Sequence, residues 1–239
     1  MKADRILLGS VLLLAAVSTA NHTSAAPRAA EASGAYYLVA AEDMVPLHLG
    51  GFYRYQARDT DRGTLTQNKA AFHVGYELLP WFSVYGLLGG TSLDLDPSVG
   101  DSSPGAEYGG GVWFNILDHA LLTDLTMETR LRVHATGQIS HAEPEVNGAD
   151  VSYTEFYGAL TLSLVTEVIG NKNYWPDAIG LFAGPVYDVM ESDDFDEDGS
   201  AFGIAAGLDM YITRGTCLSF SFEAFDKGNA MNAGLDFRF

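Results

Sequence analysis

The sequence predicts an all-β fold, an up-and-down antiparallel transmembrane β-barrel, and three observations lead to this prediction. The chain opens with the pattern of a secretory signal peptide. From Leu47 to Phe239, short segments alternate apolar with polar or small residues, and clusters of Gly, Asp, Asn and Pro separate them. This alternation has the period of a β-strand, whose successive side chains point to opposite faces. The connections between the segments differ in length, as they do in barrels that cross a membrane.

The composition favours a β-rich protein and excludes several functions. The 239 residues include 26 Gly and 12% aromatic residues, whereas only 18% are charged. The 13 basic and 31 acidic residues give a net charge of -18. Nucleic acid is therefore not an expected partner, because Lys and Arg are the residues that bind its phosphates. Cys217 is the single cysteine, so an intramolecular disulfide, a CxxC motif and a four-cysteine zinc site are all excluded.

Residues 1–26 are predicted to be a signal peptide. Lys2 and Arg5 supply its positive start, and Ile6–Val17 is an apolar run of 12 residues. This run is too short to span a bilayer, which needs roughly 20 apolar residues. Cleavage is expected after one of three small residues: Ala20, Ala25 or Ala26. Residues 27–45 are then a periplasmic lead-in and residues 46–239 the barrel, which is expected to lie in the outer membrane.

The alternation is sharpest in the last three segments, Phe202–Ile212, Cys217–Ala224 and Met231–Phe239. The longest segment, Asp124–Ser140, also separates its charged residues onto one face, which a helix would not do. Six further strands are predicted: Leu47–Ala57, Ala70–Leu78, Phe82–Thr91, Tyr108–Ile116, Ser152–Thr166 and Ala178–Met190. The total is ten, an even number, as expected for bacterial single-chain barrels. Eight strands is the alternative.

The connections alternate in character. With the N-terminus on the periplasmic side, the outward-facing connections are expected to be long and polar. They are predicted at Arg58–Lys69, Ser92–Glu107, His141–Val151, Glu191–Ala201 and Asp226–Ala230. The inward-facing ones are expected to be short turns, and those at residues 79–81 and 213–216 are short. The two middle ones, at residues 117–123 and 167–177, are longer than this scheme predicts. Short turns on the periplasmic side and longer loops outside are typical of outer-membrane barrels.

Periodicity alone does not say whether the apolar face meets lipid or a soluble core. Aromatic residues favour lipid, because they collect where a membrane meets water. Tyr76, Trp81 and Phe82 bracket one predicted periplasmic turn, and Tyr174 and Trp175 lie in another. The predicted outer face is therefore apolar and the lumen polar.

The last segment resembles the C-terminal β-signal of bacterial outer-membrane proteins. It ends in Phe239, and the residues at every second position before it are also apolar: Phe237, Leu235, Ala233 and Met231. The build as a whole resembles small outer-membrane barrels of the OmpA/OmpX type. The resemblance implies that the outer-membrane barrel-assembly machinery reads Met231–Phe239.

The polar faces of the predicted strands bring many charged residues into the lumen. They are Arg54, His73, Glu77, Glu128, Arg130, Arg132, His134, Glu155, Asp188, Asp209, Glu223, Asp236 and Arg238. A barrel of eight to ten strands leaves little free interior, so these charges are expected to form a structural ion-pair network. A narrow ion path or a catalytic cluster is the alternative. His134 with Glu155 across the strand pair is one such arrangement, but no catalytic residue is assigned.

Asp194, Asp196 and Asp198, followed by Gly199, match the opening of a calcium-binding loop. The twelfth position of such a loop should be Glu and is Ala205 here, so the match is partial. A solvated acidic loop is the alternative. If this loop binds calcium, the ion is expected to bridge it to anionic lipopolysaccharide outside the cell. No other cofactor is predicted.

The sequence predicts an integral outer-membrane barrel with a filled polar lumen and acidic outer loops, in a structural or surface-interaction role and as a monomer. Two alternatives stay open, a lipid A-modifying enzyme or protease, and a narrow channel.

Overall fold

A computed structural model describes residues 46–61, 63–79, 81–96, 102–123, 127–146, 148–168, 176–193, 201–213 and 215–239. The predicted signal peptide, the lead-in and the candidate calcium ligands Asp194, Asp196 and Asp198 lie outside these residues. Ten long strands form the barrel. They are β1 Leu47–Thr60, β2 Gly63–Leu79, β3 Phe82–Asp96, β4 Gly105–Thr123, β5 Met127–Ala142, β6 Tyr153–Val168, β7 Ala178–Ser192, β8 Phe202–Thr213, β9 Thr216–Phe225 and β10 Gly228–Arg238.

The sheet closes on itself. Each strand pairs antiparallel with the next one along the chain, and β10 returns to pair with β1. The closing register runs from His48 opposite Arg238 to Arg58 opposite Gly228. Closure leaves no sheet edge, so the strands satisfy the backbone hydrogen bonds that a membrane interior cannot. The predicted up-and-down barrel of ten strands is confirmed, and the eight-stranded alternative is wrong.

The barrel is apolar outside and polar inside, as predicted. Phe72 is 77% exposed and Ile204 66% exposed on the outer face, whereas Arg54 and Glu223 are fully buried in the lumen. A soluble barrel has the opposite arrangement, with apolar side chains inside. The final strand follows the same rule, because Met231 and Phe237 are exposed, whereas their neighbours Asn232 and Asp236 are buried. The outer surface therefore suits lipid rather than water.

Several strands extend further than predicted at one end of the barrel, which is called the loop end below. It lies opposite the end where β1 begins and β10 stops. The segment Arg58–Lys69 is not a long loop but a hairpin, in which β1 continues to Thr60 and β2 begins at Gly63. Gly63 has a φ of 131°, a conformation that favours glycine at this tight connection. The predicted connection Asp226–Ala230 is likewise shorter, because β10 begins at Gly228.

The segment 117–123 is also strand rather than turn. It forms the second half of β4, and β5 starts at Met127 instead of Asp124. The register with β5 shifts between Asn115 and Leu117 and again between Ala120 and Leu122. Each shift adds a residue on one strand and interrupts the period of two, which explains why alternation did not reveal this part of the strand.

The loop end of the lumen is covered. Three strands of two residues each, Ser102–Ser103, Glu145–Val146 and Ala149–Asp150, form a small sheet from the connections that follow β3 and β5. Val146 of this sheet packs with Leu95 and Val151 against a buried apolar cluster. The cluster consists of Leu65, Leu93, Ala142, Tyr153 and Met190. Apolar side chains thus close the lumen at this end.

At the opposite end, aromatic side chains surround the turn between β2 and β3. The rings of Phe82 and Phe114 stack at 4.9 Å between centroids, Trp81 stacks on Phe114 at 6.5 Å, and Tyr76 is 48% exposed. The aromatic cluster predicted at this turn is therefore present, whereas Tyr174 and Trp175 lie outside the described residues. Within the described ranges, no helix is long and apolar enough to cross a membrane.

A charge on the outer face should test the lipid-facing assignment. Leu162 lies near the middle of β6 and is 50% exposed. We expect Leu162→Arg to lower the free energy of unfolding in lipid vesicles by about 2–4 kcal/mol, because a cation near the bilayer midplane loses its hydration.

Asn229→Arg is the matched control, since Asn229 is exposed beside the β9–β10 turn. Its effect should stay within about 0.5 kcal/mol. Equal effects of the two substitutions in a urea titration would contradict the assignment.

Candidate functional site

The lumen is the candidate functional site, because strand alternation points one side chain in two into it. Of the predicted lumen residues, most are buried: Arg54, His73, Arg132, His134, Glu155, Asp188, Asp209, Glu223, Asp236 and Arg238. Glu77, Glu128 and Arg130 are half-buried. All three lie close to an end of β2 or β5. The prediction of a charged lumen is confirmed.

A buried ion cluster crosses the middle of the barrel. Arg54 of β1 places Nη2 2.6 Å from Asp188 Oδ2 of β7 and 3.0 Å from Glu223 Oε2 of β9. Arg58 donates to the same Asp188 oxygen at 2.9 Å, and Gln56 donates to it at 2.8 Å. The strands β1 and β7 are not neighbours in the sheet, so these contacts join opposite walls.

A second ion cluster lies beside the first, toward the loop end. Lys69 Nζ of β2 lies 2.6 Å from Glu107 Oε1 of β4 and 3.2 Å from Glu155 Oε2 of β6. Gln67 donates to the Tyr153 hydroxyl at 2.8 Å and to Glu155 at 3.3 Å. The prediction that Lys69 and Glu107 lie in outer loops is wrong, because the strands continue through both residues.

The two clusters together contain three cations and four carboxylates. Arg54, Arg58 and Lys69 face Glu107, Glu155, Asp188 and Glu223. Neutral donors supply further contacts: the Tyr157 hydroxyl donates to Glu223 Oε1 at 2.9 Å, and Asn232 Nδ2 donates to the same oxygen at 3.1 Å. The Arg54 guanidinium also lies 5.1 Å from the centre of the Tyr157 ring, within the range of a cation–π contact. Side chains therefore occupy this part of the lumen and hold one another by charge.

A third cluster joins β4 to β5 near the end where β4 stops and β5 starts. Arg130 Nε donates to Asp118 Oδ1 at 2.7 Å, and Arg132 Nε lies 3.2 Å from Asp118 Oδ2. Glu128 accepts from Arg130 Nη1 at 2.6 Å. The predicted turn at residues 117–123 includes Asp118, but the bulged second half of β4 points this side chain into the lumen.

A cluster of different chemistry lies at the end of the lumen where β1 begins. His48 starts the closing register of β1, and His73 and Asp236 lie on the two strands that flank it. His73 Nε2 and Asp236 Oδ2 are 2.9 Å apart. One ring nitrogen of His48 completes a set of three ligand atoms that all lie within 4.8 Å of one another. Their exposed fractions are 0% for His48, 3% for His73 and 0% for Asp236.

Aromatic rings border the histidine cluster on its inner side. The Trp113 ring lies 5.1 Å from His48 and 5.7 Å from His73 between centroids. Tyr85 stacks on Trp113 at 4.2 Å and donates its hydroxyl hydrogen to Gln138 Oε1 at 2.8 Å. Another ion pair lies next to the cluster, with Arg238 Nη2 2.8 Å from Glu77 Oε2. Arg238 lies opposite His48 on β10, and Glu77 lies on β2 two residues after Gly75, which is also opposite His48.

Sequence reasoning missed several lumen residues: His48, Gln56, Arg58, Gln67, Lys69, Glu107 and Asp118. For His48, Gln56 and Arg58 a signal existed, because they share even numbering with Arg54 along β1. His134 and Glu155 do not pair as expected. His134 lies opposite Thr161, whereas Glu155 lies opposite Ser140, so the candidate catalytic pair is not formed.

No protein-family model matches the chain, and no curated protein matches it. Among solved structures, it is similar to Neisserial surface protein A, with 11% identity, a TM-score of 0.39 and coverage of 83% of this chain and 100% of that chain. It is also similar to the transport unit of the autotransporter AIDA-I from Escherichia coli, with 12% identity, a TM-score of 0.43 and coverage of 87% and 94%. A third similar structure is the outer membrane protease OmpT from Escherichia coli, with 11% identity, a TM-score of 0.36 and coverage of 81% of this chain and 95% of that chain.

The chain's own strand pairing and burial define its class. In fold, the chain is a small β-barrel of the outer-membrane type, closed, antiparallel and even-numbered, with an apolar exterior and a filled, charged interior.

Arg54 is the side chain whose removal should most clearly reveal the ion cluster. We expect Arg54→Met to lower the free energy of unfolding by about 3–5 kcal/mol, because Asp188 and Glu223 would stay buried without their shared cation. Lys227→Met, in the exposed β9–β10 turn, removes the same charge and should change little. Denaturant unfolding in detergent micelles measures both, and indistinguishable values would contradict the role given to Arg54.

Proposed function

We propose that the protein is an integral outer-membrane barrel whose lumen is sealed, and that it acts through its outer loops in a structural or surface-interaction role. An export signal predicted at the N-terminus and an apolar outer face support this location. The monomeric state is part of the proposal, since closure within one chain leaves no strand edge that needs a partner.

The observation that carries the proposal is the filled lumen. The apolar cluster around Leu93 and Tyr153 closes the loop end, and the clusters of Lys69 and Arg54 follow below it. Several of these side chains have no exposed surface at all. A pore for bulk diffusion needs a water-filled path, and ten strands enclose too little volume to keep one beside these side chains.

The loop end offers acidic groups to the outside. Exposed carboxylates at this end include those of Asp59, Asp61, Glu143, Asp150, Glu191, Asp193 and Asp226. A face with this charge does not attract anionic lipopolysaccharide directly, whereas divalent cations bridge two anionic partners. We therefore propose lipopolysaccharide, bridged by cations, as the partner of these loops. A calcium site at Asp194, Asp196 and Asp198 would contribute to the same role.

A sealed lumen predicts that the protein does not conduct ions. Wild-type protein inserted in planar bilayers should show no current steps above the bilayer leak, because its ion pairs and apolar cap block water. Heat-modifiable migration on gels of the reconstituted sample verifies that the barrel is folded. Reproducible, ohmic current steps from folded protein would contradict the proposal and favour the narrow channel.

Assembly through the last strand gives a second test. Phe239 lies just beyond β10 and is 57% exposed, so Phe239→Ser removes no buried contact. We expect this variant to refold in detergent like the wild type but to reach the outer membrane of cells in clearly lower amounts. Phe220→Ser, at a lipid-facing position of β9 that is 45% exposed, is the control for lost apolar surface. Equal losses for both variants would argue against recognition of the terminal residue.

A further inference from the structure

We infer that His48, His73 and Asp236 form a binding site for a divalent transition-metal ion such as Zn²⁺, inside the lumen at the end where β1 begins. This inference goes beyond the sealed, surface-acting barrel and does not depend on it. It rests on the donor set, on the lack of other partners for His48, and on two glycines that make room for the cluster.

The donor set fits such an ion. Two imidazole nitrogens and one carboxylate oxygen suit ions of intermediate softness, whereas calcium and magnesium prefer oxygen atoms alone. Ligand atoms about 2.0–2.2 Å from one tetrahedral ion lie about 3.3 Å from each other. His73 Nε2 and Asp236 Oδ2 are already 2.9 Å apart, and all three ligand atoms lie within 4.8 Å.

His48 has no alternative role in hydrogen bonding. Neither of its ring nitrogens has a hydrogen-bond partner among the described residues, although the side chain has no exposed surface. Leaving a buried donor or acceptor unpaired costs about 1–3 kcal/mol, and most buried polar groups in proteins are paired. A metal ion would satisfy His48 and use the cluster as it is arranged.

Two glycines create the space in which the three side chains meet. Gly75 lies opposite His48, and Gly50 lies opposite both His73 and Asp236. A methyl group on Gly75 would overlap the His48 ring, and one on Gly50 would overlap the His73 ring and come within 2.7 Å of Asp236 Oδ2. Glycine within a strand weakens it, and its presence often marks close approach of another group. Here both glycines admit ligand side chains.

The surroundings complete a site with open coordination. Aromatic rings lie beside the cluster, because Trp113 is next to His48 and Tyr85 stacks on Trp113. Three protein ligands leave at least one position of a tetrahedral ion for water or another small ligand, as in zinc sites that are not purely structural.

Zinc titration of the full mature chain tests the inference. The untagged protein, refolded in detergent and treated with a chelator, should bind one Zn²⁺ per chain in a calorimeter. His48→Phe keeps a ring against Trp113 and removes no hydrogen bond, so it should fold normally. Its affinity for Zn²⁺ should fall by more than about tenfold, since even the loss of an outer partner of a ligand costs 10–100-fold. Asp236→Asn should weaken binding in the same direction.

Two histidines outside the cluster supply matched controls. His134 is buried elsewhere in the lumen, and His141 is half-buried near the loop end. His134→Gln and His141→Gln should keep the wild-type affinity. Zn²⁺ should also raise the melting temperature of the wild type and of both controls, but not that of His48→Phe, because binding to the folded state stabilises it. Absence of one-to-one binding by the wild type, or unchanged affinity in His48→Phe, would overturn the inference.

Discussion

The eleven residue pairs between β1 and β10 remove the last two free edges of the sheet. Inside a bilayer no water is available for an unpaired strand edge, so an open sheet of the same sequence would leave a row of peptide groups without partners. Closure also fixes direction. Once the barrel is closed, residues of one parity face lipid and those of the other parity face a narrow lumen. The burial of Arg54 and the exposure of Phe72 are both consequences of this geometry.

A narrow lumen imposes its own condition on the charged residues. Each inward charge leaves water, and this cost is offset only where an opposite charge and further hydrogen bonds are within reach. Arg54 meets two carboxylates from β7 and β9, and Lys69 meets two from β4 and β6. The ion clusters thus tie together strands that share no backbone hydrogen bonds. Together with buried apolar clusters such as the one around Leu93 and Tyr153, these contacts hold the walls of the barrel together.

The strand faces could be predicted from sequence, whereas the contacts across the lumen could not. Alternation is a local property, and it placed Arg54, Asp188 and Glu223 on the inward side. Which of them meet depends on strand number and register, because Arg54 and Asp188 lie 134 residues apart in the chain. The polar segments around Lys69 and Glu107 predict loops, although a strand that lines the lumen is polar on one face by necessity. The bulges in β4 concealed Asp118 for another reason, the local loss of period two.

The histidine cluster differs from the ion clusters in how its groups are satisfied. Arg54, Asp188 and Glu223 contact one another, so pairing within the protein explains their burial. His48 has no such explanation, and its site also requires glycine at two strand positions, 50 and 75, where a β-branched or aromatic residue would stabilise the sheet more. A phenylalanine at position 48 would fill the same space beside Trp113 without burying polar atoms. Stability and closure alone therefore do not account for this arrangement, whereas the binding of a metal ion accounts for the donors, their burial and the glycines together.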